Sequence, residues 1–144
     1  MSLSDRLVRL ALVLVSLSLG MQLEAWAKCS NATLHGHYSL HATGTVIDVG
    51  DFAAVGRFTF DGNGNLTGKL FVRLAGNNLE PPEFTGTYSV GPDCTVTDTW
   101  GAPLNSTHVS AIVDGGRGYF ILNNTSGSGD TISGEARKQG VGAH

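Results

Sequence analysis

The sequence predicts an all-β protein, an eight-stranded antiparallel up-and-down β-barrel preceded by an export signal. Three observations carry that expectation. Two alternating apolar/polar runs flank Asp61-Gly-Asn-Gly-Asn65, the strongest short-range signal for a hairpin. No stretch after Ala27 shows the 3.6-residue period of an amphipathic helix, while Thr, Ser, Gly and Asn are abundant. Eight short alternating segments follow one another at even spacing with short connections, which suits an up-and-down barrel better than a two-sheet sandwich.

Taken in order, the first strand opens at Leu34-His-Gly-His-Tyr-Ser-Leu40 and continues to Val46. The second runs from Phe52 to Asp61 and the third from Asn65 to Ala75. The fourth is Phe84 to Val90 and the fifth Cys94 to Trp100. Ser106 to Val113, Gly118 to Asn123 and Thr131 to Lys138 complete the set. Clusters of Gly, Pro, Asn and Asp punctuate every junction, including Gly76 to Glu83 and Gly91-Pro-Asp93.

Alternation assigns the faces. Phe58 and Phe60 share a side with Leu66, Leu70, Val72 and Leu74, while Arg57, Thr59, Thr67, Lys69 and Arg73 take the other. A weak repeat, apolar-x-Gly-x-aromatic-hydroxyl-apolar, recurs at Leu34 to Leu40, Ala54 to Phe60 and Phe84 to Val90. Glycine inside a strand costs stability, so its recurrence with an aromatic two places on suggests bending at barrel corners under a covering ring.

The connections are unequal. If strands alternate in direction, one end of the barrel receives the tight turns at Asp61 to Asn65, Gly91 to Asp93 and Asp114 to Arg117. The other receives Val46 to Asp51, Gly76 to Glu83, Gly101 to Asn105 and Asn124 to Asp130, which are mostly longer. This describes a cup with a mouth, ringed by Asp48, Asp51, Glu80, Glu83 and Asp130.

The first 27 residues read as an address. Arg6 and Arg9 precede the apolar run Leu10 to Leu19, and Ala25-Trp-Ala27 supplies the small residues of a cleavage site. The run is short for a membrane span, and Lys28 before Cys29 does not suit lipid attachment, so no stable membrane anchor is expected after cleavage. Residues 28–144 then form one domain. Removing Asp5, Glu24, Arg6 and Arg9 leaves the net charge at −3, which argues against a nucleic-acid partner. Two cysteines, Cys29 and Cys94, remain in a secreted or periplasmic chain, and a disulfide is expected. Parallel running of the first and fifth strands brings both to the floor of the cup, and the bond is worth about 4 kcal/mol in the chain-entropy model.

Several segments together resemble a family of small exported bacterial proteins. They are Cys29-Ser-Asn-Ala-Thr-Leu-His-Gly-His-Tyr38, Val55 to Asn65, Gly86 to Val90 with Asp93-Cys-Thr95, Val113 to Gly116 and Gly134 to Gln139. The resemblance covers nearly the whole chain after Ala27 and implies an architecture similar to the calycin or allene-oxide-cyclase-like barrels. It implies no activity. Where that family has Asp-Cys-Thr-Gly-Thr, this chain has Asp93-Cys-Thr-Val-Thr97.

Chemistry-bearing residues are few. His35, His37 and His41 share one face of the first strand, but they oppose the apolar face and no Cys or carboxylate completes a ligand set, even with His108. Asp61-x-Asn63-x-Asn65 starts like a calcium loop, yet Leu66 and Val72 stand where glycine and a bidentate acid belong. No metal or cofactor is expected. Asp98 alternates with Val96 and Trp100 and is the candidate acid or base in the lumen, opposed by the plainer reading of a side chain near the rim or hydrogen-bonded to a neighbouring Thr. Tyr38, Phe58, Phe60, Tyr88 and Trp100, all on the inward face, are the candidate ligand-binding wall.

Two function classes follow: a non-enzymatic exported barrel holding a small apolar ligand or making surface contacts, and a cofactor-free isomerase or cyclase using Asp98. If the leader is read correctly, N-terminal sequencing of protein from the secreted or periplasmic fraction begins at Lys28. An intact Met1 chain in membranes would show an anchor instead.

Overall fold

Alternation along the sequence becomes a closed wall in three dimensions. The computed structural model describes residues 28–140. The signal-peptide reading of residues 1–27, and the last four residues of the expected domain, lie outside the described residues. The strands are β1 (His35–Val46), β2 (Gly50–Asp61), β3 (Asn65–Leu74), β4 (Asn77–Leu79), β5 (Phe84–Val90), β6 (Thr95–Trp100), β7 (Ser106–Val113), β8 (Gly118–Asn123) and β9 (Thr131–Lys138). All pairings are antiparallel. They run β2-β1-β9-β8-β7-β6-β5-β3, and β2 also pairs with β3, so eight strands close an up-and-down barrel. Closure leaves no long unpaired edge.

The hairpin at Asp61 to Asn65 forms as its residues demand. Gly62 and Gly64 take φ of 80° and 106°, which only glycine adopts cheaply. The Asp61 carboxylate accepts the Asn63 and Asn65 backbone N–H groups at 2.7 and 3.0 Å, and the Asn65 side-chain amide at 2.7 Å. The hydrogen bond from the Asn65 side chain, followed by those from the Asn65 and Asn63 backbone, holds the Asp61 carboxyl below its ordinary pKa. The turn itself therefore occupies the oxygens that a calcium loop would offer.

One element differs from the sequence expectation. Gly76 to Glu83 is not a plain loop, because β4 folds back on β3 with Leu79 opposite Val72 and Asn77 opposite Leu74. Ala75 and Gly76 both take positive φ (48° and 85°), a two-residue reversal without the usual Asn-Gly or Asp-Gly signature. Arg73 donates to Asn78 Oδ1 at 3.0 Å, and Lys69 pairs with Glu80 at 3.2 Å and donates to the Pro81 carbonyl at 3.0 Å.

The closed end is a stapled floor. Cys29 and Cys94 form the expected disulfide across 65 positions, with Cα atoms 5.0 Å apart. A 3₁₀ turn, Asn31–Thr33, lies under the barrel, where Asn31 Oδ1 accepts the Val90 N–H at 2.8 Å. The Tyr88 hydroxyl reaches the Leu34 carbonyl at 2.9 Å, and Tyr38 donates to the Gly116 carbonyl at 2.5 Å. Above these bonds, Phe60 is met edge-on by Tyr38, Tyr88 and Tyr119 at centroid distances of 5.3, 5.0 and 5.7 Å. Edge-to-face contact of this kind adds to the burial of the rings.

Gly68 leaves room for two aromatic rings. A Cβ there would come within 2.4 Å of Phe84 and 2.9 Å of Phe58, so the two rings occupy the space that a side chain would take. At the three glycines of the repeat the covering side chains are not rings: Lys138 lies beside Gly36, Leu70 beside Gly56 and Leu66 beside Gly86.

All three tyrosines of the chain have phenol pKa values raised from the ordinary 10.0, mainly by burial, and Tyr119 is raised furthest, with the Asp98 charge as its second cause. Because the folded state holds these protons longer than the unfolded chain, the associated stability is intact below about pH 10 and is lost as pH climbs through the raised native values. Absorbance titration at 295 nm should show phenolate appearing late, with the last component coincident with unfolding by circular dichroism. Three tyrosines titrating together near pH 10 in folded protein would contradict the packed floor.

Candidate functional site

The inside of the barrel changes character along its axis. Near the floor the inward positions are Tyr38, Phe60, Leu66, Tyr88, Val96 and Tyr119, all buried. Toward the mouth they shrink to Leu40 and Ala42 on β1, Ala54 on β2, Leu70 and Val72 on β3 and Ile121 on β8. The result is a half-filled lumen. A cavity of about 710 Å³ opens at the mouth above the packed aromatic half. Val46, Phe52, Leu74, Pro103, Leu104 and Ile132 line its upper wall, and Leu79, Glu80 and Pro81 close one side.

Polar groups are sparse on this wall and concentrated on one sector. Ser106, His108, Asn123, Thr125, Ser128 and Asp130 line the cavity from β7, β8 and the loop between β8 and β9. Asp130 Oδ1 accepts the Ile47 N–H at 3.1 Å and ties two mouth loops together. Of the five acids expected at the mouth, Glu80 and Asp130 line the cavity, while Asp48, Asp51 and Glu83 lie exposed around it.

At the cavity base stands a buried ionisable pair. Asp98 on β6 and His108 on β7 are cross-strand partners, each only 6% exposed, with Asp98 Oδ1 2.7 Å from His108 Nδ1. A carboxylate can only accept, so the imidazole proton on this side belongs to Nδ1. Nε2 has no hydrogen-bond partner among the described residues. Trp100 packs against the imidazole with centroids 3.8 Å apart and planes at 39°, and both rings face the cavity. Trp100 in turn rests on Phe58 and Phe84 at 5.0 and 5.2 Å. The imidazole is therefore held from two directions.

The sequence-predicted residues separate at this level. Trp100 lines the cavity, whereas Tyr38, Phe58, Phe60 and Tyr88 are packed beneath it. They face inward, but other side chains cover them. Asp98 is inside the barrel, partnered by His108 rather than by a threonine, and is not part of the cavity surface. His108 presents the pair to the lumen instead. His35, His37 and His41 are exposed on the outer wall, and no group of three metal-binding side chains occurs among the described residues. Trp100 Nε1 and Ser110 Oγ are buried without a hydrogen-bond partner among the described residues.

His108 was hard to find from sequence because β7 reverses the usual phase. Its inward residues are Ser106, His108 and Ser110, with only Ile112 apolar among them, while Val109 and Ala111 face outward. Apolar alternation alone therefore points the wrong side of this strand into the core.

No protein-family model matches the chain, and no curated protein matches it. Among solved structures the chain is similar to a redesigned beta barrel, at 18% sequence identity over 76% of this chain and 95% of that one, with a TM-score of 0.48. The barrel assignment rests on the strand pairing itself.

Removing one partner of a buried hydrogen bond is costly, because the group left behind is desolvated and unsatisfied. Asp98→Ala should therefore lower unfolding free energy by about 1–3 kcal/mol, since it strands a buried imidazole. The double change Asp98→Leu with His108→Phe should cost much less than the sum of the single changes. Additive losses in urea denaturation would show that the two side chains are not coupled.

Proposed function

We propose that this barrel binds a small, largely apolar molecule in its mouth. The observation that carries the reading is the cavity of about 710 Å³, whose wall is mostly aliphatic and whose base is a rigid aromatic floor. Pockets of this size with a few placed polar groups are the usual form of small-molecule sites. The likeness of the chain to small exported proteins with calycin-like barrels accords with a ligand held in the lumen.

Export is part of the same proposal. The Cys29–Cys94 disulfide indicates an oxidising compartment, and the leader-like residues 1–27 favour secretion or the periplasm. The wall is apolar inside and largely polar outside, the reverse of the alternation in barrels that sit in lipid. This favours a barrel that works in water.

Trp100 makes the reading easy to test. The chain has two tryptophans, Trp26 and Trp100, so loss of the leader leaves Trp100 as the sole indole, at the cavity base. A neutral apolar fluorophore such as N-phenyl-1-naphthylamine should bind with enhanced emission and quench Trp100 by energy transfer. Ala54 lines the cavity, and Ala54→Phe would place a ring inside it. That change should weaken binding by about tenfold or more, equivalent to 1.4 kcal/mol, while melting behaviour is kept. Unchanged affinity in folded Ala54→Phe protein would place the fluorophore elsewhere.

A further inference from the structure

The polar sector of the cavity contains more than a binding pocket needs. His108 and Asn123 are cross-strand partners on β7 and β8, and both line the cavity. Directly opposed residues of an antiparallel pair put their side chains side by side. The Asn123 side chain is oriented by the Thr125 N–H, which donates to Asn123 Oδ1 at 2.9 Å. This fixes which end of the amide is oxygen and leaves the NH₂ group as a donor. That NH₂ has no hydrogen-bond partner among the described residues. Beside it, the Asp98 carboxylate holds His108 Nδ1–H, so the neutral imidazole offers a lone pair at Nε2.

We propose that His108, oriented by Asp98, and the Asn123 amide form a proton-transfer site for small apolar carbonyl compounds. The assignment rests on the ligand-binding reading of the cavity. In the proposed step, Asn123 donates a hydrogen bond to the carbonyl oxygen and Nε2 of His108 removes a proton from the adjacent carbon. The C–H electron pair moves into the new C=C bond of an enolate, and negative charge collects on the oxygen facing the amide. The imidazolium then either trades its proton with solvent and reprotonates the same carbon, giving exchange, or delivers the proton to the γ-carbon of an unsaturated ketone, giving the conjugated isomer. Substrate and product are isomers, so no oxidant, reductant or co-reactant enters.

Three features favour this chemistry over simple recognition. A base with its far nitrogen fixed by a carboxylate is the arrangement that general-base catalysis uses. Replacing the Asp98–His108 pair by apolar residues would fill the same space without a desolvated charge, so structure alone gives no reason for it. The surrounding wall is apolar, and an electrostatic contact to a developing oxyanion is strongest where water is excluded. His108 is the catalytic residue in this scheme, Asn123 binds the oxygen, and Asp98 is a positioning residue. No hydroxyl or thiol is hydrogen-bonded to Nε2 among the described residues, which separates the site from the nucleophile–base pairs of acyl transfer.

The test uses residues 28–144 with the disulfide intact. Two probes suffice: 2-tetralone, followed for deuterium uptake beside its carbonyl in D₂O by proton NMR, and 3-cyclohexen-1-one, followed for conversion to its conjugated isomer. Wild-type protein should accelerate both, and His108→Gln should lose about 100-fold or more of the acceleration. Asp98→Asn should lower kcat with little change in KM, as expected of a residue that orients the base and does not touch the ketone. Asn123→Ala should impair both constants. Each variant is checked by far-UV circular dichroism and by binding of N-phenyl-1-naphthylamine, and His108→Asn serves as a second variant if His108→Gln does not fold. Wild-type protein that binds the fluorophore yet handles neither ketone faster than the folded histidine variant would overturn the proton-transfer site and leave the binding reading intact. Folded wild-type protein that binds no fluorophore would remove the cavity reading, and this assignment with it.

Discussion

The size of the inward side chains along eight strands governs everything else in this barrel. An eight-stranded barrel is just wide enough for side chains from its wall to fill it, so residue volume at each level decides whether the lumen is solid or hollow. On β1 the inward series runs Tyr38, Leu40, Ala42, and on β2, read from the floor, Phe60, Phe58, Gly56, Ala54. The same walls that carry large rings below carry almost nothing above. Glycine takes part at the packed levels as well, because Gly68 admits the Phe58 and Phe84 rings on which Trp100 rests. The cavity base is thus a consequence of floor packing.

That dependence gives the Asp98–His108 pair its setting. A side chain in a fluid pocket would spread over several rotamers, whereas His108 is pinned by a carboxylate on one edge and an indole on its face. The stack beneath is close-packed, and close-packed interiors transmit position with little give. The pair lies where the solid half of the lumen meets the hollow half, so it is both desolvated and reachable. Neither half alone would supply both conditions.

Much of this was legible in the sequence, and the part that was not has a definite physical cause. Alternation and turn residues located eight strands, among them Phe84–Val90, Ser106–Val113, Gly118–Asn123 and Thr131–Lys138 at the bounds that the structure shows. The disulfide followed from two cysteines and strand direction. Alternation reports which face a residue takes but says nothing of its height along the axis. Tyr38 and Ala42 look equivalent by phase, yet one is floor and the other is cavity wall. Height depends on pairing register, which tight hairpins fix and the longer connection from Gly101 to Asn105 does not. The match of Asp98 with His108 spans that connection, so it could not be counted out. On β7 apolar alternation is no guide, because its serines and histidine face the lumen. Polar residues facing inward break the rule by which sheets are read, and such breaks concentrate at functional sites.

Stability is distributed as unevenly as volume. The floor is held by a disulfide, by buried tyrosine hydrogen bonds to Gly116 and Leu34, and by the edge-on ring cluster around Phe60. The mouth is held mainly by loop hydrogen bonds, such as Ile47 N–H to Asp130, Ala75 N–H to the Asp51 carbonyl and Thr107 N–H to Thr125 Oγ1, and by a β4 arm with three residue pairs and the Lys69–Glu80 ion pair. An ion pair with Glu80 largely in solvent contributes little, and Leu79 on the same arm is 47% exposed. Segments with few buried contacts open at the lowest free-energy cost, independently of global unfolding. On the proposed binding reading, entry of a small molecule needs only the mouth to yield. The floor beneath His108 carries the disulfide and the ring cluster, so it is the costlier part to open.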